Sequence, residues 1–492
     1  MFKTVTPESV GISSEKVLDF YKFLDDHGFQ THSVIMARGD KIFTEGYWAP
    51  FHKDFQHRMY SVSKSFVGIA VGLAEQEGLL SLDDKLLKYF PEYEKDAHPF
   101  LKEQTLRDML KMSTSRISNI NWFASGTNDR CDTYFQAKCN KVSGSFFDYD
   151  SPGSFMLNSI VEKVTGMPFL EYLYEKALKY AGFSEKAYCL KCPGGHSFGD
   201  SGVMCTARDL LTFARFVMDK GNIDGKNYVN EEYITQAVKK QCSNNTFGFE
   251  YAHLKGYGYQ IWKMPRDGFA FIGMGDQFAV CDPETDFIFI INSDNQGEPH
   301  ARPFIFDEIY RSIVPNLGEP LPENEKAHKE LLDYVSNLKL YSLRNGEKTT
   351  KTAHEINGVT YKLEENSMGI EWIRFEFEGE KGKMFWKNAQ GEKELPFGMG
   401  YNEFAKFPQE GYSDMIATYP CEGNMYDAAI SAIWDDEIKL IIKAQIIDKY
   451  FGRLSMSFAF KDGHIMVRFN KTAEAFLNEY DGFAIGKKIR EC

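Results

Sequence analysis

Long apolar runs and an excess of basic residues are both missing from this sequence. No stretch approaches the roughly 18 consecutive apolar residues that cross a membrane as a helix. The opening residues, MFKTVTPESVGISSEKV, contain no apolar segment of a secretory signal. The net charge of the 492 residues is −13, so the basic footprint of nucleic-acid-binding proteins is absent. We therefore expect a cytoplasmic protein with neither a membrane nor a nucleic acid as its partner.

Cysteines are few and lack the spacing of a metal site. The sequence has nine, and the one closely spaced pair is Cys189-Leu190-Lys191-Cys192. A zinc ribbon needs a second such pair, which the sequence does not contain. We interpret the pair as structural free thiols of a reducing compartment, with a redox or metal role as the alternative.

The chain is too long for one ordinary hydrophobic core, and its pattern changes near residues 315–325. There VPNLGEPLPENEKAH places three prolines in a short polar stretch. Helical and strand patterns alternate before it, whereas short alternating strands separated by turn residues dominate after about residue 350. The sequence predicts an α+β catalytic domain over residues 1–345. An all-β domain, an antiparallel, lipocalin-like barrel or a sandwich, is predicted over 346–492.

Two serines compete for the role of nucleophile. Gly195-His196-Ser197-Phe198-Gly199 spells G-x-S-x-G, the nucleophile elbow of α/β-hydrolases. An elbow needs a buried strand before the serine and a helix after it, and both flanks of Ser197 have loop composition. We therefore predict that this match is coincidental.

The other serine begins an S-x-x-K sequence, Ser61-Val62-Ser63-Lys64. The residues from Ser61 to Glu77 predict a long, mostly apolar helix. Residues three apart on a helix share a face, so the Lys64 amine can reach the Ser61 hydroxyl. A helix this apolar is expected at the centre of a domain, so Lys64 should be partly buried. Burial disfavours the charged form of the amine, and a neutral amine can act as a base. The alternative is a capping serine followed by an exposed lysine.

Together with two downstream segments, this motif resembles the serine β-lactamase and penicillin-binding-protein superfamily, especially its class C-like esterases, amidases and D-aminopeptidases. Tyr149-Asp150-Ser151 precedes an apolar helix that ends at Gly166, as the family's second element does. GDSGVMCTARDLL (199–211) matches a family turn and helix, which makes Ser197 part of a loop. The resemblance implies a β-lactamase-like fold, an antiparallel sheet flanked by helices. It also implies that Tyr149 exchanges protons with Ser61, although Tyr149 is one of 26 tyrosines.

The resemblance extends to Gly273-Met274-Gly275-Asp276-Gln277, which is similar to a G-H-G-G-Q segment of the family. It places Met274 where other members have lysine or histidine, and Gly275 at their hydroxyl position. Met274 cannot hold the carboxylate of a β-lactam, which speaks against penicillin recognition. The main-chain N–H of Gln277 would join that of Ser61 in an oxyanion hole.

The resemblance implies a serine hydrolase that cleaves an ester or amide bond through an acyl-enzyme on Ser61, with Lys64 and Tyr149 as general base and acid, and with no metal or organic cofactor. Ser151 would hydrogen-bond Lys64 or the substrate. The expected partner is a small ester, an amide or a short peptide, and a homo-oligomer is left open. Two alternatives remain: a penicillin-binding-like protein without turnover, and an acyltransferase that uses the same acyl-enzyme.

Aromatic residues could line the pocket of such a site. The candidates are Trp122-Phe123 and the segment 247–262, FGFEYAHLKGYGYQIW. A packed core is the equal alternative for each of them.

Overall fold

The computed structural model describes residues 2–116, 129–245, 255–412, 423–473 and 476–489. The chain divides into two compact units, one of which contains Met1–Lys339, while the other begins at Leu340. The predicted boundary between residues 345 and 346 falls just inside the second unit.

The first unit is built on one large sheet, whose apolar strands are buried along both faces. The strands of this unit are β1 (Lys3–Thr4), β2 (Thr31–Arg38), β3 (Lys41–Tyr47), β4 (His57–Arg58), β5 (Tyr188–Cys189), β6 (Val203–Cys205), β7 (Asn222–Ile223), β8 (Lys226–Asn227), β9 (Gly256–Tyr257), β10 (Trp262–Lys263), β11 (Phe269–Gly273), β12 (Gln277–Asp282) and β13 (Phe287–Ser293). Eight of them form the sheet in the order β1-β3-β2-β13-β12-β11-β10-β9. All neighbours in it are antiparallel except β1 and β3, which are parallel. β4, β6 and β5 form a small separate sheet.

Some helices of the first unit pack on the large sheet and others pack on one another. The helices of this unit are α1 (Ser14–Asp26), α2 (Ser63–Gln76), α3 (Pro99–Lys102), α4 (Leu106–Leu110), α5 (Arg130–Gln136), α6 (Ser151–Thr165), α7 (Phe169–Leu173), α8 (Lys179–Ala181), α9 (Ala207–Met218), α10 (Glu231–Val238), α11 (Ala301–Glu308) and α12 (Glu325–Ser336). α9 packs on β2, β12 and β13, and its first turn is fixed by a capping box between Thr206 and Asp209. The predicted α+β fold is confirmed. Within the described ranges, no helix has the length and apolar character needed to cross a membrane.

The apolar helix predicted from Ser61 to Glu77 begins two residues later than expected. Tyr60–Val62 forms a 3₁₀ turn, and the α-helix α2 starts at Ser63. Tyr60 has a φ of +46°, in the left-handed region, so a right-handed helix cannot extend through it toward the N-terminus. α2 packs against α6, α7 and α10 and is buried from Ser63 to Ala74, so it is the central helix of the unit.

The second unit is a closed barrel of nine antiparallel strands joined at one parallel seam. Its elements are α13 (Lys351–Ile356), β14 (Thr360–Leu363), β15 (Trp372–Glu378), β16 (Lys381–Asn388), β17 (Gly391–Met399), β18 (Glu403–Lys406), β19 (Asp427–Trp434), β20 (Lys439–Ile447), β21 (Phe451–Lys461), β22 (His464–Ala473) and β23 (Gly482–Lys488). The strands follow the order β17-β16-β15-β14-β23-β22-β21-β20-β19, and a parallel β17–β19 pair closes the ring. β18 adds to the edge of β19.

The barrel strands alternate buried and exposed residues, as the sequence pattern predicts. The inward residues are mostly large and apolar, for example Phe375, Met384, Trp386 and Leu395. They fill the interior, so the predicted all-β barrel domain is confirmed. One segment predicted as a strand, DMIATYP (414–420), lies outside the described residues.

Candidate active site

Ser61 and Lys64 are in contact, as their spacing predicts. Lys64 Nζ lies 2.8 Å from Ser61 Oγ. The lysine side chain is buried, with 1% of its surface exposed, while Ser61 is half-buried. The alternative of a solvent-exposed lysine is therefore excluded. A serine hydroxyl paired with a buried amine is an arrangement in which the amine can take the hydroxyl proton.

A second hydrogen bond fixes the amine of Lys64 from the opposite side. The amine donates to the main-chain oxygen of Asp200, at 2.6 Å. Asp200 belongs to the segment that leads into β6, and this segment is tied to the serine turn by two further bonds. Met59 N donates to Val203 O at 2.8 Å, and Val203 N donates to Ser63 Oγ at 2.9 Å. The amine is thus held between the helix that carries it and a neighbouring strand.

Arg58 reinforces the same junction and was missed by sequence reasoning. Its guanidinium lies 4.1 Å from the ring centroid of Tyr60 and donates to the main-chain and side-chain oxygens of Ser201. The left-handed Tyr60 comes directly before the candidate nucleophile. Strained residues of this kind persist where their surroundings hold them in place, and Arg58 supplies part of that support.

The ring of Tyr149 lies beside the Lys64 amine. Lys64 Nζ lies 5.2 Å from the centroid of its ring. The ring is half-buried and stacks on Trp262, with centroids 5.8 Å apart and planes inclined by 14°. Ser151 is the half-buried first residue of α6. The two hydrogen bonds of the Lys64 amine within the described residues go to Ser61 and Asp200, and neither goes to Ser151.

Asp150, between Tyr149 and Ser151, is a positioning residue that sequence reasoning missed. Its carboxylate caps α6 by accepting from the Gly153 N–H at 3.1 Å, and it accepts from the Thr114 hydroxyl at 2.6 Å. Burial raises the pKa of this carboxyl above its ordinary value. An aspartate two residues before a proline at a helix start is a recognisable capping signal. Thr114 carries no comparable signal in the sequence.

Gly273, the last residue of β11, lies against the turn that carries the candidate nucleophile. A Cβ on this glycine would lie 2.5 Å from Met59 O and 3.2 Å from the main-chain nitrogen of Ser61. Only a residue without a side chain fits there. The strand that resembles the family's third element therefore lies against the serine turn.

The turn after Gly273 holds the remaining predicted site residues. Gly275 has a φ of +73°, Gln277 pairs with Gly273 across the hairpin, and Met274 is half-exposed while its neighbours are buried. The side-chain amide of Gln277 is fully buried. It donates to Met274 O at 2.9 Å and to Ser293 O at 2.6 Å. That amide is thus occupied in holding the turn.

The rejected serine, Ser197, lies in a loop, as predicted. It is buried, its N–H donates to Glu162, and its carbonyl accepts from Asn158 Nδ2 at 2.7 Å. The neighbouring cysteine pair shows no sign of reactivity. Burial raises the pKa of the Cys192 thiol to about 11, and burial also raises the pKa of the Cys189 thiol. The part of the chain that the structure describes contains no cluster of side chains suited to a metal ion.

The predicted aromatic pocket residues fall partly outside the described ranges. Trp122, Phe123 and residues 247–254 lie in those gaps. Of the remainder, Tyr257 and Trp262 are buried and pack edge to face with centroids 4.8 Å apart, as core residues do. Through its stacking on Tyr149, Trp262 also supports the site.

Known proteins resemble the chain over this same region. A sequence profile of the beta-lactamase family matches residues 19–309. A 6-aminohexanoate-dimer hydrolase of Paenarthrobacter ureafaciens is 27% identical over 295 residues, which are 55% of this chain and 74% of the relative.

Two solved structures share the fold. One, from Bacillus anthracis and provisionally named a 6-aminohexanoate-dimer hydrolase, has a TM-score of 0.53 at 18% identity and covers 65% of this chain and 88% of its own. The other, provisionally named a β-lactamase of Bacteroides dorei DSM 17855, has a TM-score of 0.51 at 14% identity and covers 61% and 98%. With a family profile that spans more than half of its residues, the chain belongs to the beta-lactamase family and is a β-lactamase-fold hydrolase related to the 6-aminohexanoate-dimer hydrolase.

Proposed function

We propose that the protein hydrolyses an ester or amide bond through an acyl-enzyme on Ser61, with Lys64 and Tyr149 as general base and acid. The observation that carries this proposal is the 2.8 Å contact between the Ser61 hydroxyl and a fully buried lysine amine. A lysine placed there for stability alone would bury a charge at considerable cost. A nucleophile–base pair gives a chemical reason for that placement.

In the first half of the reaction, neutral Lys64 takes the proton of Ser61 as the oxygen attacks the substrate carbonyl. The new bond joins Ser61 Oγ to the carbonyl carbon, and the bond to the alcohol or amine breaks. Tyr149 gives a proton to the departing group and is reprotonated by Lys64. In the second half, the same pair removes a proton from water as the water oxygen attacks the acyl carbon. The bond to Ser61 Oγ then breaks, the pair returns the proton to Ser61, and the acid leaves.

Main-chain N–H groups would hold the negative charge that develops on the carbonyl oxygen. Ser61 supplies one of them, in the 3₁₀ turn that leads into the central helix. The predicted second donor is the N–H of Gln277. The close approach of Gly273 to Ser61 favours a competing assignment, the N–H of Met274, one residue further on. Both donors lie in the same short turn, and main-chain donors need no particular side chain.

We expect the substrate to be an amide or ester without a carboxylate beside the scissile bond, and not primarily a β-lactam. The half-exposed Met274 places an apolar side chain in the turn that faces Ser61. Sequence similarity to an enzyme that acts on 6-aminohexanoate dimer makes amides the first class to screen.

The test compares wild type, Ser61→Ala, Lys64→Ala and Ser197→Ala on p-nitrophenyl acetate, then on a panel of neutral and carboxylate-bearing amides. Intact mass spectrometry after rapid quenching detects a trapped acyl adduct. Ser197→Ala is the matched control, because this serine is buried and its main chain makes its hydrogen bonds. We expect turnover and adduct to disappear in Ser61→Ala and to persist in Ser197→Ala.

Other outcomes would redirect the assignment. Loss of activity only in Ser197→Ala would indicate that Ser197, and not Ser61, is the nucleophile. A stable penicillin adduct without product release would indicate a penicillin-binding protein without turnover. Diversion of product by an added amine would indicate an acyltransferase.

A further inference from the structure

The turn that presents the oxyanion donor has an unusual backbone. It connects β11 to β12 and contains two consecutive left-handed residues, Gly275 with a φ of +73° and Asp276 with a φ of +68°. Glycine adopts this region readily, whereas aspartate does so at a small cost. A backbone of this kind needs support from its surroundings to present one N–H in a fixed direction.

That support is an ion pair between a buried carboxylate, that of Asp276, and a partly buried guanidinium, that of Arg302. Arg302, in the first turn of α11, donates from Nε to the carboxylate of Asp276 at 2.9 Å. The Asp276 side chain is 5% exposed and that of Arg302 is 19% exposed. Arg302 also donates from Nη2 to Gly273 O at 3.3 Å. One guanidinium therefore holds both the strand end that contacts the Ser61 turn and the third residue of the following turn.

Two neighbouring side chains complete the clamp. Asn295 donates from Nδ2 to the Asp276 carboxylate at 3.1 Å, and its own N–H donates to Gly275 O at 3.0 Å. The Ser293 hydroxyl also contacts Gly275 O, at 2.8 Å. Every one of these bonds ends on the turn or on the side chain of Asp276. None of these contacts involves Ser61, Lys64 or Tyr149.

We propose that Asp276 and Arg302 are positioning residues for catalysis, which act by holding the Gly273–Gln277 turn so that its main-chain N–H points at the developing oxyanion. This inference rests on the proposed function and deepens it. The inference holds whether the donor is the N–H of Met274 or that of Gln277. The reason is that Arg302 contacts Gly273 and Asp276, which lie on either side of Met274 in the chain.

The pair should affect the transition state more than substrate binding, since the oxyanion forms only as the serine attacks. A misplacement of about 1 Å at a reacting centre can cost about 100-fold in rate. We therefore expect Asp276→Asn and Arg302→Met each to lower kcat by about 10- to 100-fold. KM should change little. Asparagine tolerates the left-handed region as aspartate does, so Asp276→Asn removes the charge and preserves the backbone preference.

The experiment measures kcat and KM for p-nitrophenyl acetate and the inhibition constant of phenylboronic acid, which forms a tetrahedral adduct with a reactive serine. The variants are Asp276→Asn, Arg302→Met, Arg302→Lys and the double variant. Asp282→Asn is the matched control. Asp282 is the last residue of β12, the strand that follows the turn. It is fully buried and pairs with Arg266 at 2.8 Å, but it lies at the end of β12 that is far from the turn.

The proposal requires kcat and boronate affinity to fall together in Asp276→Asn and Arg302→Met. The double variant should be no worse than the worse single variant, as expected for residues that act as a unit. Arg302→Lys should recover part of the loss, because lysine keeps the charge but lacks the fork that reaches Gly273. Asp282→Asn should lower thermal stability without lowering kcat.

Wild-type kcat in both pair variants would overturn the proposal, and so would an equal loss of kcat in Asp282→Asn, which would indicate a general loosening of the hairpin. A failure of the proposed function would give a different result. The wild-type protein would then show neither turnover nor an adduct that depends on Ser61, and this inference would be refuted together with the proposed function.

Discussion

Replacing Gly273 by alanine tests the contact on which the active-site geometry depends. The added Cβ would lie 2.5 Å from Met59 O and 3.2 Å from Ser61 N. An ordinary contact begins at 3.4 Å, so the strand end and the serine turn must separate by about 0.9 Å in a closely packed interior. The predicted oxyanion donors follow directly in the chain and would move with the strand.

From this displacement we expect two separable effects. Overpacking should lower the free energy of unfolding by about 1–3 kcal/mol. Loss of one well-placed oxyanion donor should lower kcat by about 100- to 1,000-fold. The measurements are urea unfolding and steady-state kinetics on p-nitrophenyl acetate, with KM expected to stay near the wild-type value.

Gly268→Ala is the control for the steric effect. Its added Cβ would lie 2.8 Å from the main-chain oxygens of Cys281 and Pro265, at the other end of the same hairpin. It should cost similar stability and leave kcat unchanged. A folded Gly273→Ala protein with wild-type kcat would refute the placement of the oxyanion hole beside this glycine.

Three further predictions follow from other parts of the first unit. Burial lowers the pKa of His57 to about 3, so the unfolded chain binds a proton between pH 6.5 and 3 that the folded protein does not. This histidine should cost about 1.4 kcal/mol of stability for each pH unit below 6.5, or about 2 kcal/mol at pH 5. Urea unfolding at pH 7 and pH 5 should show a smaller loss in His57→Gln, and an equal loss in both proteins would contradict this reasoning. Met274→Lys should raise kcat/KM for carboxylate-bearing amides relative to neutral ones, and an unchanged ratio would contradict the assigned position of Met274. Asp150→Ala should cost about 1 kcal/mol through the lost helix cap and should also lower kcat because Tyr149 loses its anchor, whereas Asp150→Asn should keep most of both; wild-type kcat in the alanine variant would exclude the positioning role.

Much of the fold could be predicted because its signals are local. Alternation of apolar and polar residues along β16, β21 and β22 predicted the strands of the barrel. The loop composition around Ser197 was enough to reject the elbow motif, since strands and helices leave a periodic pattern and that segment has none. The 3₁₀ turn over Tyr60–Val62 and the left-handed backbone of Tyr60 were not predicted, since no residue type there indicates either of them.

In the candidate site, too, some residues could be predicted from local spacing and others could not. Ser61 and Lys64 are three residues apart, and helical geometry alone brings such residues together. Tyr149, Ser151 and the Gly273–Gln277 turn were found through a family resemblance, and their catalytic roles stay predictions. Arg58, Asp150 and Arg302 were missed, because a side chain that supports a neighbour looks like any other surface or capping residue until that neighbour is known.

The sequence by itself determined the serine–lysine pair, the buried helix that carries it, the β-lactamase-like fold and the separate β barrel. The pair, its helix and the barrel strands depend on spacing and periodicity within short segments, whereas the β-lactamase-like fold was inferred from a family resemblance. Only the tertiary structure decided what surrounds the pair. The carbonyl that holds Lys64 lies 136 residues further along the chain, and Arg302 reaches back 26 residues to Asp276. Such contacts arise from the packing of whole helices and strands, in which each residue contributes a small part, so no local pattern records them.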